Sequence, residues 1–205
     1  MDRSGFQTAS GADDAIMADL DRYLALLEEG NAVMNLVGPA TLPDFWGRHA
    51  WDSAQLLPHA PDARLWADLG AGAGLPGIII AAFLKSRDDG HIWLIDSLAK
   101  RCRFLERVVS ELSLPATVIN ARAETLHITV DVVTARACAP LDRLLDFADP
   151  YLKRGAEALF LKGEQADAEL TEARRRRPGL QADLLPSQSD PRGRLVRIRR
   201  RRRAA

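Results

Sequence analysis

Trp66-Ala-Asp-Leu-Gly-Ala-Gly-Ala-Gly-Leu-Pro-Gly77 sets an acid and four glycines at the end of a short apolar run, and its reading decides the fold. Residues 65–69 have the length and apolarity of a buried strand, and the next helix begins at Pro76, where a missing N–H costs nothing. Strand, glycine-rich turn and helix in that order form a nucleotide-binding unit. Glycine admits positive φ and close backbone approach, and the helix N-terminus offers unpaired N–H groups to a ligand.

The next apolar run, His91-Ile-Trp-Leu-Ile-Asp96, closes on a carboxylate roughly 20 residues past the turn, the place where an acid grips ribose hydroxyls in such folds. Gly72, Gly74 and Gly77 also satisfy the G-x-G-x-x-G pattern of dinucleotide binders, but that pattern alone discriminates poorly. Asp68 separates the two readings. An acid on the strand end would repel a pyrophosphate but suits the ammonium of a methionine moiety, directly or through water. S-adenosylmethionine is therefore the expected cofactor, with S-adenosylhomocysteine as product and a dinucleotide as the alternative.

Working outward, apolar runs near 65–69, 91–95, 116–120, 130–134 and 156–161 alternate with helical stretches near 76–86, 98–112, 140–152 and 164–177. This alternation predicts a Rossmann-like, doubly wound, mostly parallel α/β sheet with ligands at the strand C-termini. Residues 182–186 and 194–198 can add an antiparallel hairpin, and the arginines of its second run predict an edge or partly exposed strand. Ile16, Leu20, Tyr23, Leu24 and Leu27 recur at helical spacing, and 43–57 reads as a further helix stopped by Pro58 and Pro61. The expected division is a disordered segment over 1–12, a helical cap over 13–60, a cofactor-binding domain over 61–198 and an arginine-rich tail over 199–205.

With 205 residues, 47% of them hydrophobic, the chain can bury one substantial core. No stretch resembles a signal peptide or a membrane span, so a cytoplasmic protein is expected. Cys102 and Cys138 lack metal or CxxC spacing, which predicts neither disulfide nor metal. The formal net charge of zero is divided unevenly: residues 174–205 carry twelve arginines against Asp183 and Asp190, a net of +10, leaving −10 on the preceding 173 residues. Such a basic end suits RNA phosphates, while the plainer reading is a solvated tail balancing an acidic body.

Seven blocks carry a family resemblance: Asn35-Leu-Val, Arg48-His-Ala-Trp-Asp-Ser53, the Asp68 to Gly77 segment, Asp96-Ser-Leu-Ala-Lys-Arg101, Arg122-Ala-Glu124, Thr134-Ala-Arg-Ala-Cys-Ala-Pro-Leu141 and Leu161-Lys-Gly163. In this order they resemble the bacterial small-subunit rRNA methyltransferase G family, also called GidB. The resemblance implies an S-adenosylmethionine-dependent enzyme that methylates N7 of one guanine in the 530 loop of 16S rRNA, presented as RNA or as the 30S subunit, with no obligate protein partner. It implies cofactor contacts from Asp68, Gly70, Ala71, Gly72, Gly74, Leu75, Gly77, Asp96, Ser97, Arg122, Ala123, Glu124 and Arg136. Asn35, Arg48, His49, Lys100, Arg101 and Lys162 are substrate-facing candidates. Val37 and Cys138 depart from the residues usual at those positions, and the arginine-rich end is unusually long.

Guanine N7 carries an exposed lone pair, so its methylation needs no general base, and catalysis rests on alignment and electrostatics. Arg136, at the carboxyl end of the fourth strand, is the leading catalytic candidate, holding guanine O6, a phosphate or the cofactor carboxylate. The plainer reading is an ion pair with Asp68 or Asp96. For Arg122 and Glu124 the plainer reading is a surface pair or helix cap, for Lys162 a solvated lysine, and for Arg48 with Asp52 an i,i+4 pair. Cys138 is expected to pack in an apolar turn, although a thiolate nucleophile is a chemical alternative. A methyltransferase acting on another RNA or small molecule, and a non-catalytic RNA-binding assembly factor that keeps the cofactor pocket, are the competing functions.

Overall fold

The computed structural model describes residues 1–199, so the arginine-rich tail expected over 199–205 lies, past its first residue, outside the described residues. Five parallel strands form the centre: β1 (Leu65–Leu69), β2 (His91–Asp96), β3 (Ala116–Asn120), β4 (Val132–Arg136) and β5 (Glu157–Lys162), joined by β6 (Ala182–Pro186) and β7 (Arg194–Ile198). The sheet order is β3-β2-β1-β4-β5-β7-β6, with β7 antiparallel to both neighbours. Chain order reverses between β1 and β4, and the crevice beyond their carboxyl ends is where open α/β sheets bind ligands.

The central strands read as near-continuous apolar runs because helices cover both faces. On one face, Trp66 packs with α2 (Asp14–Met34), α4 (Gly77–Leu84) and α5 (Ala99–Glu111); on the other, Ala67 and Leu69 pack with α6 (Leu141–Leu152) and α7 (Ala166–Arg176). The period-two alternation of β1 therefore sends Asp68 toward the same face as Trp66, beneath α4.

The structure corrects several expectations. The segment over 1–12 is ordered: α1 (Arg3–Ser10) is capped by Asp2, whose side chain accepts from Gly5 N, and its Phe6 is buried against Trp46 with ring centroids 5.3 Å apart. Residues 43–57 do not form one helix. A 3₁₀ turn over Pro39–Asp44 leads into a π-helical turn over Trp46–Trp51, the short α3 (Asp52–Ala54) and a second 3₁₀ turn over Leu57–His59. Proline removes backbone donors here, and a π turn shifts the helical register of the residues after it. In consequence Arg48 does not pair with Asp52; Arg48 lies 4.0 Å from Asp190, and Asp52 lies 3.3 Å from Arg136.

Of the two readings of β7, the edge is excluded, since β7 is interior to the sheet and β6 is the edge, while partial exposure holds at Arg194 and Arg197. Arg197 is neutralised by Glu157 at 2.8 Å on β5, and Arg194 lies 3.6 Å from Asp167, so the arginines are accommodated without an open edge. Among the described residues, no helix is long and apolar enough to cross a membrane.

Candidate functional site

A cleft of about 1170 Å³ opens at the carboxyl ends of β1, β2 and β4, walled by the glycine-rich turn, the 38–52 segment and the β6–β7 turn. Its floor is held by backbone bonds: Gly70 N and Ala71 N both donate to Ile95 O, at 2.8 and 2.9 Å. Gly70 has φ +70°, and a Cβ there would stand 2.2 Å from Cys138 Sγ, so the turn demands glycine at this point. Tyr23 of α2 donates its buried hydroxyl to Ala73 O at 2.8 Å, fastening the turn to the N-terminal helices. The helical spacing of Tyr23 marks a core face in sequence but says nothing of this tether.

Asp96 organises the neighbouring wall. One carboxylate oxygen accepts from Gly72 N at 2.9 Å and the other from Leu98 N at 2.8 Å, with Arg101 3.6 Å away. A carboxylate has about four acceptor positions, so capacity remains for hydroxyl donors in the cleft.

Asp68 stands behind this surface. It is fully buried, accepts from Gly77 N at 2.9 Å through Oδ2, and leaves Oδ1 buried without a hydrogen-bond partner. Burial pushes its pKa up to about 7, against the donation from Gly77 and the positive charge of Arg136. The unfolded chain ionises this carboxyl near 3.8, so between about pH 4 and pH 7 the folded chain holds a proton that the unfolded chain has lost. The stability gained is complete below that window and disappears as pH rises through it, an effect on the order of 4 kcal/mol. Asp68→Asn removes the titration. Denaturant unfolding at pH 5 and pH 8 is therefore expected to show the parent losing stability relative to the variant; parallel pH profiles would contradict this account.

Arg136 ends β4 and reaches the cleft, only 16% of its side chain being exposed. Its partner is neither Asp68 nor Asp96 but Asp52, and it also donates to Arg48 O at 3.1 Å and to His49 Nδ1 at 3.1 Å. Burial, then the charges of Arg136 and Arg48, pull the His49 pKa down to about 4, so the ring is neutral. With Nδ1 accepting, its proton sits on Nε2, which faces Thr41 Oγ1 at 2.9 Å.

Of the remaining candidates, Ala71, Gly72, Leu75, Ser97, Arg122, Ala123, Glu124, Arg48 and Arg101 line the cleft. Arg122 is 3.7 Å from Glu124, which is the surface pair of the plainer reading. Lys162 also borders the cleft but is not solvated: it donates to Ala139 O at 2.9 Å and pairs with Glu169 at 2.8 Å. Gly74 and Gly77 lie behind the wall with Asp68. Asn35 is the left-handed cap of α2, and Lys100 donates to Val33 O outside the cleft. Cys138 corrects the packing expectation: Ala137 adopts φ +51°, which turns the chain outward and leaves Cys138 exposed on the cleft wall. Although Cys138 is exposed to the cleft, the protein packed around it removes part of its hydration and, with the charges of Asp68 and Asp96, raises the thiol pKa, so the sulfur is not poised as a thiolate nucleophile. Sequence reasoning also missed Gln55, which donates to Asp52 from three residues away, and Ser187 and Ser189 from the far end of the chain, the first meeting Gln55 and the second Asp52 itself.

Comparison with known proteins matches residues 16–187 to the family described as rRNA small subunit methyltransferase G, GidB. The chain belongs to the GidB family. A relative named ribosomal RNA small subunit methyltransferase G from Caulobacter vibrioides is 56% identical over 98% of this chain and 92% of that protein. One of the same name from Methylorubrum populi is 46% identical over 87% and 86%. The GidB chain shares its fold with a SAM dependent methyltransferase from Aquifex aeolicus (TM-score 0.57, 16% identity, 82% of this chain and 97% of that one). It shares it also with cofactor-bound Rv0187 from MTB (TM-score 0.62, 17% identity, 96% and 94%). This GidB member is thus an S-adenosylmethionine-dependent methyltransferase of class I fold.

Proposed function

We propose that this enzyme methylates N7 of a guanine in the 530 loop of 16S rRNA, and that the cleft holds both the cofactor and the target base. The observation that carries the reading is the convergence of the glycine-rich turn, Asp96 and Arg136 on one cleft at the topological switch point. The residues fit S-adenosylmethionine. Asp96 has acceptor capacity for ribose hydroxyls, the turn gives close backbone approach, and the Arg122 to Glu124 segment borders the adenine side. The unpartnered Oδ1 of Asp68 behind the turn is a free acceptor on the side where an ammonium group would lie, and the nearby cation would itself favour the ionised carboxyl. The cofactor brings an electrophilic methyl group on a sulfonium.

The chain's own residues have a limited task, because N7 needs no deprotonation. Neutral His49 is an acceptor for Arg136 rather than a base for the substrate. Three of the five guanidinium N–H donors of Arg136 are committed to Arg48 O, Asp52 and His49, which leaves two to hold guanine O6 while N7 stays open. Arg48, Arg101 and Arg192 on the cleft rim suit the phosphates flanking the target.

Labelled methyl transfer to undermethylated 30S particles, followed by mapping of the modified atom, tests this reading. One labelled N7-methylguanine in the 530 loop is the expected product. Label on another base or atom would overturn the assignment, and cofactor and RNA binding without product would favour a non-catalytic assembly factor.

A further inference from the structure

Asp52 joins three parts of the chain that are remote in sequence. Its Oδ2 receives Arg136 from β4, while Oδ1 accepts from Gln55 Nε2 at 2.9 Å and from the Ser189 hydroxyl in the β6–β7 turn. Gln55 is 1% exposed and returns the connection, its Oε1 accepting from Gln188 N at 2.8 Å. Ser187 and Ser189 share a hydroxyl contact at 2.9 Å, and Trp51 Nε1 donates to Gln188 O at 3.3 Å. The turn is therefore bolted to the 51–55 segment at several points, and the shared carboxylate is the one that receives the cleft arginine. A guanidinium on a long side chain loses most of its freedom when a partly buried carboxylate with no slack holds one of its donors.

We propose that Asp52, braced by Gln55 and Ser189, is a positioning residue that fixes the direction of the Arg136 guanidinium, which makes the β6–β7 turn part of the methyl-transfer site. The inference rests on the reading that Arg136 faces the substrate. Its two parts are separable by experiment.

The first arm needs no turnover. Phenylglyoxal modification of Arg136, read by peptide mass mapping of the full-length protein, is expected to run at least about fivefold faster in Asp52→Asn than in the parent, because a released guanidinium reaches solvent. Ser189→Ala, which removes a single hydroxyl, is expected to raise the same rate by about twofold to threefold and covers the case in which Asp52→Asn fails to fold. An unchanged Arg136 rate in both variants would overturn the proposal.

The second arm is a double-mutant cycle under single-turnover conditions. Asp52→Asn is expected to reduce the rate of methyl transfer by about 10- to 100-fold with little change in cofactor affinity, but by less than about threefold when Arg136 is already glutamine. Equal losses in the two backgrounds would show that Asp52 acts independently of Arg136 and would also overturn the proposal. If the parent itself transfers no methyl group to 30S particles, the functional reading fails, and the modification rates still decide the positioning role.

Discussion

Arg136→Gln is expected to reduce methyl transfer to 30S particles by about 100- to 1000-fold, the loss typical when a preorganised charged donor is taken from a reacting centre. Glutamine keeps some hydrogen-bonding capacity and length but loses the charge and the forked donor set. As positive charge passes from sulfur to the purine, electron density is drawn from the ring, and a fixed guanidinium serves orientation more than charge balance. The loss should therefore fall on the rate of transfer, with affinity for S-adenosylhomocysteine changed much less. Arg136 pairs with Asp52 at 3.3 Å and both side chains are largely buried, so its removal also leaves Asp52 and His49 short of a donor and is expected to cost about 1–3 kcal/mol of stability, a loss to be read separately from the rate. Single-turnover assays beside a thermal melt check this expectation. Transfer within about threefold of the parent would remove Arg136 from the machinery.

Gly77→Val is expected to destabilise the fold by roughly 3–6 kcal/mol and to lower Tm by on the order of 10–20 °C. A Cβ at Gly77 would meet Leu94 Cδ2 at 2.3 Å and Asp68 Oδ2 at 2.6 Å. Gly77 opens α4 with its N–H donated to the buried Asp68, so any backbone shift that relieves the clash also strips the carboxylate of that donor. Valine adds two methyl groups to a space that does not admit one carbon. Calorimetric melting of parent and variant measures the effect, and a loss below about 1 kcal/mol would mean that β2 and α4 separate easily, contrary to their close packing.

The central sheet is legible in the sequence because parallel strands covered on both faces must be apolar throughout. Residues 65–69, 91–96 and 157–162 announce themselves in that way. The glycine-rich turn and Asp96 are legible for a related reason: their chemistry is written in one local stretch. Where tertiary partners decide, local pattern fails. Helix α1 contributes the buried Phe6 and owes its order to the Asp2 cap and to Trp46, forty residues away in sequence. Arg194 and Arg197 make β7 look like an edge until Asp167 and Glu157 are seen beside them. At the site, the spacing of Arg48 and Asp52 suggests a helical pair, but the π turn redirects both, and the true partner of Asp52 lies on β4. The bond between Ser189 and Asp52 spans 137 positions, and no spacing rule reaches that far.

Insertion of β7 between β5 and β6 has a consequence for how the chain is made. During translation β5 acquires its β4 neighbour promptly, but its outer side waits for a strand that begins more than thirty residues later and runs the opposite way. For that interval Leu159, Phe160 and Leu161 border an unpaired ladder, the kind of template on which nascent molecules join one another. The hazard in biogenesis thus comes late, after the nucleotide-binding half is in place, and it ends when the hairpin docks.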